Sequence, residues 1–176
     1  MTFAERLVGA ALLDSRVYEE VEADRGATGQ AVAVVLLASV AAGIGLWGLG
    51  VPDPRTFVSH VIGALVGWIA WAVLTYLIGT RLLPEAQTRA DVGELLRTIA
   101  FASSPGLLRV FGVVPFLGWP IYMITSVWML VTMIVAVRQA LDYKSTARAV
   151  GVCVVGWALS LAVAVIFGTL FAPRVS

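Results

Sequence analysis

From Val110 to Val137 the chain reads VFGVVPFLGWPIYMITSVWMLVTMIVAV, an unbroken run without a charged side chain. A helix needs about 20 mostly apolar residues to cross the roughly 30 Å hydrocarbon core of a bilayer. The stretch is long enough to span, and arginines bracket it at 109 and 138. Its opening, Gly112-Val-Val-Pro-Phe-Leu-Gly-Trp-Pro120, reads as a tight turn. That leaves Ile121 to Val137 for the crossing, at the short end of what a span needs.

The same reading extends outward. Downstream, the run 149–173, between Arg148 and Arg174, is also free of charge. Upstream, so are 56–80, between Arg55 and Arg81, and 26–52, between Arg25 and Asp53. Four gaps can therefore span. A fifth is interrupted, since only Thr98–Leu108 lies between Arg97 and Arg109. Arginines near helix ends can snorkel to the interface, so Leu95–Val114 can still cross. Where an acid is needed, Asp91 and Glu94 are the nearest for Arg97, and Asp53 is the distant candidate for Arg109. This stretch contains Ser103-Ser104-Pro105-Gly106, which should break or kink its helix.

Basic residues choose between five and four crossings. With five and the N-terminus inside, the cytoplasmic side holds 9 Lys/Arg and the outer side 3, namely Arg55, Arg109 and Arg174. With four, the loop of Arg138, Lys144 and Arg148 moves outside and the split falls to 8 and 4. The excess of basic residues inside favours five. The expected fold is all-α, a polytopic five-helix transmembrane bundle with a broken third span. Residues 1–25 form a cytoplasmic, amphipathic and acidic segment, 26–173 the five-span domain, and 174–176 a short outer C-terminus.

Composition agrees. Of 176 residues, 60% are hydrophobic and 13% charged, with mean hydropathy +0.93. A water-soluble fold of this size could not hide so much apolar surface. Disorder, collagen, coiled coil and nucleic-acid binding are excluded, since each needs polar or repetitive chains. The segment Met1–Arg25 carries six acids and three bases, the wrong sign for a signal peptide. Thr2-Phe-Ala-Glu5 fits a capping box. Phe3, Leu7, Ala10 and Ala11 recur at helical spacing, as in a helix lying on a membrane surface. Asp14-Ser15 ends that helix and starts another over Arg16–Asp24. Asp91-Val-Gly-Glu94 is a second capping box, opening the third span.

Few motifs carry chemistry. Gly43-Ile-Gly-Leu-Trp-Gly48 matches GxGxxG, but it ends an apolar span with no strand beside it, so close packing or a flexible helix end explains it better than a nucleotide. Ser59, Gly63 and Gly67 repeat every four residues, a small-residue face suited to helix packing within the bundle or to a homodimer. His60 lies near the outer end of the second span with no acid in the long gaps to make a proton relay. Cys153 reads as a small buried hydrophobe. Trp47 and Trp119 fall at expected outer interfaces. No nucleophile elbow, HExxH or Walker sequence occurs, so no catalytic, metal or cofactor residue is assigned. The candidate polar site is the third span: Arg97, Ser103, Ser104, Pro105 and Arg109. Broken helices at membrane depth are tolerated only inside protein or beside water, and in transporters they line substrate sites. The other reading is a structural kink whose freed carbonyls are met by Ser103, Ser104 or neighbouring helices.

Five spans, an acidic N-terminus, FASSPGLLRVFGVVP and VWMLVTMIVAVRQALDYKSTARAV together resemble the Yip (Rab-GTPase-interacting) membrane proteins, most closely their prokaryotic branch. The resemblance covers roughly Leu7–Phe171. It implies a five-helix integral membrane fold with a cytosolic N-terminus and, for eukaryotic members, work in vesicle traffic. No DLYGP-type motif precedes the first span and the long N-terminal domain of those members is absent, so binding of a small GTPase does not carry over. Eleven arginines against one lysine suit a G+C-rich bacterial or archaeal genome. The expected function is a non-enzymatic membrane-organising or trafficking protein of the inner cell membrane. Its expected partners are the lipid bilayer, other membrane proteins or a second copy of the chain. The alternative is a small-molecule or lipid transport component working through the kinked third span.

Overall fold

The computed structural model describes residues 1–47 and 54–171. The described residues form α-helices with shorter 3-10 and π turns, and no strand occurs among them. In order these are α1 (Phe3–Ala11), α2 (Ser15–Ala23), α3 (Thr28–Trp47), α4 (Pro54–Leu77), α5 (Val92–Ala102), α6 (Gly118–Ala140) and α7 (Thr146–Phe171). A π turn, Ile78–Leu82, closes α4, and a 3-10 helix, Ser104–Val113, follows α5. Three helical stretches are long and apolar enough to cross a membrane: Arg25–Trp47, Phe57–Leu82 and Gly118–Ala140. Thr146–Ser160 is a shorter apolar helix. Gly48, Asp53 and residues 174–176, the expected outer C-terminus, lie outside the described residues.

Both capping boxes form. Thr2 N donates to Glu5 Oε2 at 2.6 Å and Glu5 N to Thr2 Oγ1 at 3.3 Å. Asp91 N donates to Glu94 Oε2 at 2.7 Å and Glu94 N to Asp91 Oδ1 at 2.8 Å. Each pair satisfies two of the donors a helix start leaves open. The second helix starts one residue early, at Ser15, because Asp14 caps it.

The turn before α6 is tighter than its sequence span suggests. Leu117 N donates to Val114 O at 3.1 Å, with Pro115 and Phe116 at the centre. Phe116 has φ 70°, where a type II turn usually places glycine. Four residues complete the reversal, so α6 begins at Gly118 instead of Ile121 and has 23 residues.

The segment α5–3-10 runs alongside α3 in the same direction. A Cβ on Gly106 would lie 3.5 Å from Ala38, and six residues on, one on Gly112 would lie 3.2 Å from Gly45 Cα. At the end where α4 finishes and α6 meets α7, side chains clasp two loops together. Tyr143 OH reaches Gly79 O at 2.9 Å and Leu83 O at 2.7 Å. The Glu85 carboxylate accepts from Lys144 N at 3.1 Å and Ser145 N at 3.3 Å.

The N-terminal hairpin packs on protein. Val17, Tyr18 and Val21 are buried in one core with Ala31, Val34, Phe101 and Ala136, and Phe3 and Leu7 pack against it. Trp128 Nε1 donates to Ala11 O at 2.7 Å, and Tyr18 OH to Ala10 O at 2.9 Å. The spacing that suggested a surface helix thus turns Phe3 and Leu7 toward this protein core, while Val8 and Leu12 remain exposed. Arg6, itself buried, pins the hairpin through Glu20 at 2.8 Å, Asp24 at 2.7 Å and Gln30 at 2.9 Å.

Candidate functional site

The candidate site surrounds the junction of α5 and the 3-10 helix. Pro105 has no N–H, so Phe101 O, its partner in a regular α-helix, would be left open. Ser104 Oγ donates to that carbonyl at 2.5 Å. Ser103 Oγ donates to Ile99 O at 3.4 Å, and Thr132 Oγ1 on α6 lies 2.7 Å from Ala102 O. The break is therefore satisfied within the protein. Ser104 and Pro105 are buried and serve the kink, while Ser103 is half-buried and reaches a cavity beside it.

That cavity, of about 300 Å³, lies between α3, α4, α6 and the broken segment. Its polar lining comprises Ser39, His60, Ser103 and Arg109. Arg109 is half-buried; Nε donates to Thr125 Oγ1 at 3.1 Å and Nη2 to Ser126 Oγ at 2.9 Å. Its guanidinium carbon stands 4.5 Å from the centre of the Tyr122 ring, a cation–π contact. Both hydroxyls donate onward down α6, Thr125 to Ile121 O at 2.8 Å and Ser126 to Tyr122 O at 2.7 Å. Arg109 forms no ion pair among the described residues. Asp53, the acid expected opposite it, lies outside them.

Arg97 belongs to a different place. It is buried, Nε donates to Val21 O at 2.8 Å, and Nη2 donates to Glu22 O. These carbonyls end α2, where a helix leaves acceptors open and a cation is favoured. The carboxylates expected as its partners, Asp91 and Glu94, are occupied in the capping box. Arg97 thus holds α2 against α5 and does not share a site with Ser103 and Arg109.

Beside Arg97, a cleft lined by Glu19, Glu22, Glu94, Arg138 and Asp142 lies between α2 and the end of α6. Burial, then the charges of Glu94 and Asp142, push the Glu22 carboxyl up to about 7, against the opposing pull of Arg97.

The small-residue face is open. Ser59, Gly63 and Gly67 are exposed, and a Cβ on Gly63 or Gly67 would meet nothing within 4 Å. Gly63 and Gly67 therefore make no close packing contact among the described residues; Gly67 instead borders the cavity with His60, Ala64, Trp68 and Trp71. Close packing falls on glycines of the GxGxxG match, in keeping with the packing reading of that stretch: a Cβ on Gly43 would lie 2.5 Å from the Phe57 ring, and one on Gly45 would overlap Arg109 O. Thr125 and Thr132 were missed by sequence reasoning. Their seven-residue spacing in an apolar run, which puts two hydroxyls on one helix face, was the available signal.

The family model for the Yip1 domain matches residues 12–167, well over half the chain. No curated protein and no solved structure matches the chain.

Proposed function

We propose the following for this chain, which belongs to the Yip1 domain family and is a multi-pass membrane protein: it is a non-enzymatic protein of the inner cell membrane that organises membranes or membrane traffic through its cytoplasmic surface. The family match across the apolar helices is the observation that carries this reading. We place it in the prokaryotic branch of that family on the resemblance carried by FASSPGLLRVFGVVP and VWMLVTMIVAVRQALDYKSTARAV.

How the helix ends meet supports five crossings. The broken segment runs parallel to α3, and the Tyr143 and Glu85 contacts bring the ends of α4 and α6 to one side. Alternating up and down, α3, α4, α5 with its 3-10 extension, α6 and α7 then make five spans, with residues 1–25 on the cytoplasmic side and residues 174–176 outside. The 9-to-3 division of basic residues orients the bundle. The carbonyls at the break are met by Ser104 and Thr132, which supports the reading of the segment as a structural kink. The protein partners on this reading are other membrane proteins or a second copy of the chain.

Cross-linking in native membranes, followed by capture of the full chain and mass spectrometry, tests the proposal. A small recurrent set of membrane proteins, linked through the loops of Arg89 and Lys144, is the expected result. Recovery of the uncross-linked monomer alone overturns it.

A further inference from the structure

We propose that the cavity beside the break binds one anionic phospholipid, with its phosphate on Arg109 and an acyl chain running inward along α3. Its volume of about 300 Å³ is at the lower end for ligand pockets.

The lining is graded along the cavity. Arg109 and His60 line one end, Ser39 and Ser103 lie between, and Val35, Ile99 and Met133 line the other. From Ala42 to Val35 the cavity follows α3 over seven residues, roughly 10 Å at 1.5 Å per residue. A charge at one end of an apolar trough suits an amphiphile; a free anion would leave the trough unfilled.

The charge selects the headgroup. Arg109 is permanently cationic, and a half-buried cation in low dielectric calls for a counter-charge. The cavity lining includes no carboxylate among the described residues, and its tryptophans, Trp68 and Trp71, line the end away from Arg109, so nothing beside Arg109 receives a choline or an amine. The guanidinium uses Nε and Nη2 on neutral hydroxyls and keeps Nη1 without a hydrogen bond among the described residues. The trough exists because Ala38, Ala42, Ala64 and Gly67 leave room, with α4 touching α3 near Phe57 and α5 at Trp68.

The inference rests on the membrane reading and puts the Arg109 end at the outer leaflet. Native mass spectrometry of the purified full chain tests it, with phosphatidylglycerol, phosphatidylcholine or inorganic phosphate added separately and in competition. One phosphatidylglycerol should be retained in preference to phosphatidylcholine, and millimolar phosphate should not displace it. Arg109→Gln should weaken retention by roughly tenfold, as loss of a charged hydrogen-bond donor does. Gly67→Leu should weaken it by filling the trough; its Cβ meets no other part of the chain, so this variant decides the matter if Arg109→Gln does not fold. Gly63→Leu, on the exposed face but outside the cavity lining, should retain lipid like the native chain. Equal retention of the two lipids, displacement by phosphate, or unchanged retention in Gly67→Leu overturns the proposal. Maleimide labelling of the loops fails only if the five-span reading fails, so the two failures are distinguishable.

Discussion

Gly45 and Gly112 pack backbone against backbone: a Cβ built on Gly112 would lie 3.2 Å from Gly45 Cα, and one on Gly45 would strike Arg109 O. Small residues at helix crossings let backbones approach this closely. Gly45→Ala forces α3 away from the 3-10 helix and should cost about 1–3 kcal/mol, the usual range for overpacking. Gly63→Ala, where the added carbon meets nothing and a helix gains from losing a glycine, should hold or raise the thermal midpoint in detergent. Equal midpoints for the two variants would remove Gly45 from the packing account.

The helices were legible in the sequence because charge gaps, caps and turn residues are local signals. Thr2–Glu5, Asp91–Glu94 and the Pro115 turn each act within four residues. The path of the N-terminal hairpin was not legible. Phe3 and Leu7 have the same spacing whether their face meets lipid or Phe101, and periodicity cannot tell one apolar partner from another. Glycines pose the same difficulty. Gly63 and Gly67 sit on a regular stripe, yet a Cβ at either would touch nothing, whereas Gly45 meets Arg109 and Gly112, which are remote in the chain. The polar site divided likewise: Ser104 answers Pro105 locally, but Arg97 is held by Val21 and Glu22, 76 and 75 residues away in the chain.

Arg97→Leu removes the donors that end α2 and leaves two carbonyls open. Hydrogen bonds from charged groups contribute about 1.5–3 kcal/mol each, so α2 should detach from α5 while the spans stay folded. Limited proteolysis should then cut within residues 1–25 much faster than in the native chain. Arg97→Lys, with a single ammonium for two carbonyls, should fall between the two. Protection equal to native in Arg97→Leu would show that apolar burial of Val17, Tyr18 and Val21 suffices to hold the hairpin.

Docking of α2 should also depend on pH. The Glu22 carboxyl stands at about 7 in the folded chain, above its ordinary 4.5, because burial and the charges of Glu94, Asp142 and Glu19 disfavour ionisation while Arg97 favours it. Arg138, across the same cleft, is the other charged neighbour. A raised carboxyl binds its proton more tightly when folded, so its contribution to stability is full below about 4.5 and is lost as pH rises through about 7. Glu20 and Asp24, lowered by hydrogen bonds that include those from Arg6, have the opposite sign, but they are already ionised in that window and lose their contribution only at acid pH. Hydrogen exchange in α2 should therefore quicken between pH 6 and pH 8 beyond its intrinsic pH dependence, and Glu22→Gln should flatten that rise. A native-like rise in Glu22→Gln would assign the effect elsewhere.

Whether α5 and its 3-10 extension cross the bilayer decides between five spans and four. The 3-10 geometry bears directly on this. Eleven α-helical residues at 1.5 Å and ten 3-10 residues at about 2.0 Å reach roughly 36 Å if straight, against a hydrocarbon core of roughly 30 Å. An all-α path over the same residues would fall nearer the limit, so the break lengthens the segment as well as bending it. Arg89 and Phe116 flank it, and Lys144 follows α6; all three are exposed. In a Cys153→Ser background, Phe116→Cys should react with a membrane-impermeant maleimide on intact cells. Arg89→Cys and Lys144→Cys should react only after permeabilisation. With four spans, Phe116→Cys would join Arg89→Cys inside and Lys144→Cys would label from outside. Arg89 and Phe116 on the same side would leave the broken segment as a re-entrant element and place Arg109 in the cytoplasmic leaflet.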